Sequence, residues 1–147
     1  MKALTLTQPW ASLVANGEKK IETRSWSTQY RGPLAIHAAK GFPGWAKDTC
    51  KEEPFYSSLR VGGNYAYPEL MVGSVLCVVE LRGCVKTQFV RNTLTPKEIS
   101  FGDYDDDRYA WFLEFTRKLK KEIPAKGHLG LWDWVAPEVM DAFVVQK

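Results

Sequence analysis

Cysteine is scarce in this chain of 147 residues: Cys50, Cys77 and Cys84 are odd in number and form no CxxC pair. That argues against a disulfide framework and a zinc site, and it fits a reducing compartment. No stretch approaches the ~18 consecutive apolar residues of a membrane span, and the opening Met-Lys-Ala-Leu-Thr-Leu-Thr-Gln-Pro falls short of the ~7–15-residue apolar run of a signal peptide. A cytoplasmic protein without a membrane partner is expected. Repeats, low-complexity segments and dividing linkers are absent too, and with 45% hydrophobic residues the chain is too apolar for a disordered one. A single domain over residues 1–147 follows as the expectation. Charge of one sign is also lacking, since 20 basic against 17 acidic residues leave +3, too little to argue for nucleic acid by itself.

Tryptophan, by contrast, is plentiful, with Trp10, Trp26, Trp45, Trp111, Trp132 and Trp134. Each is a core anchor or a stacking surface. The basic excess is also unevenly placed: residues 1–60 hold nine basic and five acidic side chains. An anionic ligand is therefore sought there first.

Thr7 to Gly17 reads as a short helix, with Thr7 as cap, Pro9 in the first turn and Asn16-Gly17 as a left-handed stop. Lys19 to Trp26 resumes strand character, with Glu22, Arg24 and Trp26 on one face and Ile21 and Thr23 on the other. Leu34–Ala38 reads as a buried strand and Ser74–Leu81 as another, the latter carrying one carboxylate, Glu80. Phe42 to Tyr67 is ambiguous, with helical turns at Trp45–Glu52 and Pro54–Arg60, and Thr95-Pro96-Lys97-Glu98 opens a brief helix. Tyr109–Thr116 is an aromatic strand, Lys118–Ile123 a basic stretch, Gly127–Trp134 a loop with a short strand, and Pro137–Val145 a closing helix. Mixed strands and few short helices, without βαβ alternation, predict an α+β or barrel domain.

The densest functional constellation is Gly17-Glu18-Lys19-Lys20-Ile21-Glu22-Thr23-Arg24-Ser25-Trp26, preceded by Gln8-Pro9-Trp10. A cation can meet phosphate, an indole can stack a base, and a glutamate can read an amino edge or act as general base. The alternative is a solvated strand face with Trp26 covering the barrel mouth. Lys19 has the wrong parity to share a face with Glu22, so it must precede the strand or sit beside a bulge. Glu80 lies in an apolar strand, on a face assigned to Leu76 and Val78, and a buried carboxylate there calls for Lys19 or Arg24 opposite.

These residues resemble the ASCH (activating signal cointegrator homology) domain, a PUA-like family. The likeness is carried by Leu4–Ala11, by G-x-K-x-x-E-x-R at Gly17, Lys19, Glu22 and Arg24, by Arg31–Ala38 and by Gly73–Glu80. It implies a small PUA-like β-barrel with flanking short helices and a cleft where the first helix meets the barrel. It further implies binding of RNA or a modified nucleoside, with a protein partner in transcription or translation as an alternative, and no cofactor or metal. An amidohydrolase branch uses a lysine, a threonine and a glutamate on acylated cytidine, and another branch is a ribonuclease. The lysine falls on Lys19 and the glutamate on Glu80, but Glu22 stands where that branch has threonine, which removes the hydroxyl nucleophile.

Two roles are thus assigned. Lys19, Glu22 and Glu80 are the catalytic candidates, and Gln8, Trp10, Arg24, Trp26, Arg31 and His37 the RNA- or nucleotide-binding ones. His37 is read first as a structural histidine and His128 as a loop residue. Asp103, Asp105, Asp107 and Glu114 mimic a calcium loop, but Arg108 replaces the glycine such a loop requires. Arg117–Lys121 is a solvated face or a phosphate track. Trp111, Trp132 and Trp134 are assigned to the core, and Trp45 to no role.

Overall fold

A computed structural model describes residues 1–63 and 70–136. The closing helix expected at Pro137–Val145 lies outside them. Six strands, β1 (Lys2–Leu6), β2 (Ile21–Arg24), β3 (Gly32–Ala38), β4 (Ser74–Lys86), β5 (Tyr109–Pro124) and β6 (Leu131–Asp133), form one sheet in the order β2-β5-β4-β3-β1-β6. Only β1 and β3 run parallel, and α1 (Trp10–Ala15) lies between β1 and β2 in the chain. Among the described residues the other α-helices are short: α2 (Gly44–Thr49), α3 (Phe55–Ser58) and α4 (Pro96–Ser100). This is the α+β half-barrel that the strand pattern and the resemblance implied.

Local chemistry sets these elements. Asn16 ends α1 and Gly17 follows at φ +82°, a conformation that costs glycine nothing. At the other end the cap differs from expectation. Gln8, fully buried, accepts from the Ser12 amide at 3.0 Å through Oε1 and donates through Nε2 to Ser12 Oγ and Met71 O. The longer amide side chain thus does the work assigned to Thr7 and ties the helix to residue 71. Thr95 caps α4 by accepting from the Glu98 amide at 3.2 Å. Glu98 then reaches back to accept from the Lys20 amide at 2.9 Å, covering donors at the open edge of β2.

The concave face and α1 enclose the main core, built on Leu4, Leu6, Leu34, Ile36, Val79, Leu81 and Trp111. A second cluster, with Val75, Val78, Leu119, Trp132 and Trp134, packs on the other face. Trp111, Trp132 and Trp134 are all buried, as expected of closing residues. Register shifts between Val75 and Cys77 and between Val78 and Glu80 break the alternation of β4. Leu76 consequently joins the main core while Val78 joins the second, which corrects the shared face assigned to Leu76, Val78 and Glu80. Strand β5 runs through the basic stretch to Pro124, so the expected aromatic strand and basic segment are one element.

Candidate functional site

Lys19 lies just before β2, as the parity argument required, and its amide donates to Leu13 O at 2.9 Å. Its side chain is turned inward, only 1% exposed. The ammonium has three hydrogens and three acceptors: Ile21 O, Phe101 O at 3.1 Å and Glu22 Oε1 at 3.4 Å. It is therefore a satisfied buried cation and is not presented to a ligand.

The other oxygen of Glu22 accepts from Arg24 Nε at 2.9 Å and forms an ion pair with Nη2 at the same distance. Arg24 Nη2 also donates to Thr5 O at 2.9 Å, joining β2 back to β1 across the open mouth of the sheet. Lys19, Glu22 and Arg24 thus form one chain of charge running from the core to the cleft. Glu22 is nearly buried, while the Arg24 side chain retains 24% of its exposure.

Two hollows meet at this arginine, and both are lined by Thr5 and Arg24. The smaller, about 590 Å³, has Glu22 and Arg24 on its floor, with Trp10, Trp45, Asp103 and Arg108 around them. Trp10 and Trp45 stand with ring centroids 5.8 Å apart, and Trp45 is 62% exposed. The sequence carried no sign of Trp45, because α2 brings it from 35 residues away to stand beside Trp10. The larger hollow, about 1080 Å³, is walled by the 124–130 segment and by His37, Lys40 and Gly73.

The remaining candidates fall elsewhere. Trp26 packs edge-on against Trp111 at 4.8 Å and accepts the Trp111 indole N–H on its backbone oxygen, so it joins the core margin. Arg31 donates to Thr28 O and Tyr30 O and braces the β2–β3 loop. Gln8 is spent on α1. Glu80 is half-buried and paired in register with Pro33 and Glu114; burial raises the Tyr30 phenol, and the Glu80 charge adds to that rise. Among the described residues the ion partner of Lys19 and of Arg24 is Glu22, so the expected pairing of Glu80 with either cation is not formed. The acidic loop is neutralised by Arg108 on Asp103, Arg91 on Asp106 and Lys86 on Asp107. Among the described residues no cluster of His, Cys, Asp and Glu could hold a metal ion.

His37 is 1% exposed, its Nε2 is 2.7 Å from Ala125 O and its Nδ1 is 3.1 Å from Thr5 Oγ1. A carbonyl can only accept, so Nε2 carries the proton and Nδ1 takes the Thr5 hydroxyl hydrogen. The Trp132 indole donates to the same hydroxyl oxygen at 3.1 Å. Burial pushes the imidazole below its ordinary 6.5. A folded value below the unfolded one contributes stability that is complete above about pH 6.5 and is lost as pH falls through the folded value. The stability advantage of the wild type over His37→Gln, measured by urea denaturation, is expected to shrink between pH 7.5 and pH 5. A constant difference would show that the imidazole titrates alike in the folded and the unfolded chain.

A curved mixed sheet with a charge-and-indole cleft beside its first helix defines a small α+β half-barrel domain. The sequence matches the ASCH domain family over residues 4–123, and the chain belongs to that family, whose fold is PUA-like and whose members generally bind RNA. It is also similar to activating signal cointegrator 1 of Mus musculus, 28% identical over 130 residues, and of Homo sapiens, 27% identical over 130 residues. Those alignments cover 88% of this chain and 21% of each relative, so the chain spans about a fifth of the length of the curated relatives it matches. No helix among the described residues is long and apolar enough to cross a membrane.

Proposed function

We propose that the chain binds RNA or a modified nucleotide in the smaller hollow. One observation carries this reading: the Glu22 carboxylate is held between a buried lysine and a partly exposed arginine on the floor of a cleft bordered by two indoles. The base lies against Trp10 and Trp45, Glu22 accepts from its amino edge, and Arg24 with Arg108 meets phosphate or ribose. Lys19 acts through Glu22, which it positions without touching the ligand. The hydrolase alternative keeps Lys19 and Glu80 as acid and base. Its weakness is that Lys19 spends its hydrogens on other acceptors and Glu80 is paired away from it. Release of acetate from acetylated cytidine would favour that alternative.

Trp45 provides the cleanest test, because an exposed side chain can be removed without opening the core. Stacking of one base on an aromatic ring contributes about 1–3 kcal/mol. Trp45→Ala is therefore expected to weaken binding of a short single-stranded RNA by roughly 5- to 150-fold, with the unfolding midpoint unchanged. Unchanged affinity in a fluorescence-anisotropy titration would remove the stacking role. A second reading, a protein-interaction module, is supported by the name of the relatives and by the exposed aromatics Trp45 and Tyr56 of α2 and α3. It expects a protein partner on that surface and no RNA affinity in the same titration.

A further inference from the structure

The larger hollow has a charge pattern that one base in the smaller one does not use. Arg24, Lys40 and Lys126 line it together with His128, and among the described residues no carboxylate does. Among the described residues neither Lys40 nor Lys126 takes part in an ion pair. The smaller hollow, by contrast, contains Glu22 and Asp103, which already engage its two cations, Arg24 and Arg108. Both hollows end on Thr5 and Arg24, so a ligand that fills them must cross the guanidinium. At about 1080 Å³ the larger one exceeds what a phosphate group needs and reaches the upper end of the roughly 300–1,000 Å³ typical of small-molecule sites.

Its far wall is also held in place before any ligand arrives. His37 donates to Ala125 O, and Gly127 lies so close to β1 and β3 that a Cβ there would stand 2.8 Å from both His37 Cε1 and Thr5 Oγ1. The loop continues into Leu129, which is 98% exposed, and His128, whose ring rests 5.3 Å from that of Trp132. Cations above an apolar wall, reached across an arginine, match a phosphate with a nucleoside attached.

We infer that the cleft takes two consecutive nucleotides of a single strand, resting on the RNA reading above. One base occupies the smaller hollow, the linking phosphodiester lies on Arg24, and the neighbouring nucleotide fills the larger hollow with Lys40 and Lys126 on its phosphate. The ligand class is thus an oligonucleotide, and a free nucleoside uses only half of the site.

Calorimetric titration of the full chain with the four nucleosides, with random-sequence RNA dinucleotides carrying a phosphate at both ends and with random hexamers tests this. The dinucleotides are expected to bind at least tenfold tighter than the best nucleoside. Lys40→Glu/Lys126→Glu removes that gain and leaves nucleoside affinity within twofold. Lys2→Glu/Lys97→Glu, at residues lining neither hollow, controls for net charge and keeps the gain. Equal affinity for nucleoside and dinucleotide, or a gain that survives Lys40→Glu/Lys126→Glu, overturns the two-nucleotide inference while the single-base reading stands. Absence of binding by all three probes to the wild type overturns both.

Discussion

Replacing Lys19 by methionine is expected to destabilise the fold by about 3–5 kcal/mol, the range found when one partner of a buried ion pair is removed. The substitution preserves most of the aliphatic stem, so little packing is lost. Three other groups suffer. Glu22 Oε1 loses its cation, and the carbonyls of Ile21 and Phe101, both facing a side chain that is 1% exposed, lose their donor. Urea denaturation should show a midpoint shift with little change in slope. The double variant Lys19→Met/Glu22→Gln separates the charge from the carbonyls, because glutamine still offers Arg24 an acceptor. It is expected to recover part of the loss, with the remainder belonging to the two carbonyls. A single-variant loss below about 1 kcal/mol would mean that water or another donor replaces the ammonium and that Lys19 does not hold the cleft floor.

Much of this arrangement was legible in the residues, and the illegible part has specific physical causes. Local signals worked where the determinant was local. Asn16-Gly17 stopped α1, the parity argument put Lys19 ahead of β2, and the alternation of Glu22 with Arg24 put both on one face. The burial of Lys19 was not legible, because one of its acceptors, Phe101 O, comes from a segment 82 residues away. Glu80 was misjudged for a different reason. Alternation is a rule for regular strands, and the register shifts in β4 change which side chains share a face. The same distance effect hid Trp45, whose position beside Trp10 depends on the path from β3 into α2, and the neutralisation of the acidic loop by Lys86 and Arg91. Five of the nine candidates, Lys19, Glu22, Trp10, Arg24 and His37, line the cleft or lie beneath it. Gln8, Trp26 and Arg31 are spent on a helix cap, a core contact and a loop brace.

Arg24 carries the largest expected effect on binding, because both halves of the cleft end on it. Arg24→Leu removes one charge-assisted bond and the ion pair to Glu22 and one bond to Thr5 O, and it removes the cation assigned to the phosphate. A hydrogen bond to a charged group contributes about 1.5–3 kcal/mol, so loss of the phosphate contact alone is expected to weaken binding of a single-stranded RNA hexamer by roughly 10- to 150-fold. Arg24→Lys discriminates between charge and shape. Lysine keeps the positive charge and hence most of the dependence of affinity on salt, but a single ammonium cannot span Glu22 Oε2 and Thr5 O while facing a ligand. Arg24→Lys is therefore expected to retain the salt slope and still lose most of the affinity, whereas Arg24→Leu loses both. If lysine restores full affinity, the guanidinium contributes only charge, and the strand-bridging geometry at the mouth of the sheet has no part in recognition. If neither variant changes affinity at two salt concentrations, RNA does not bind at this cleft.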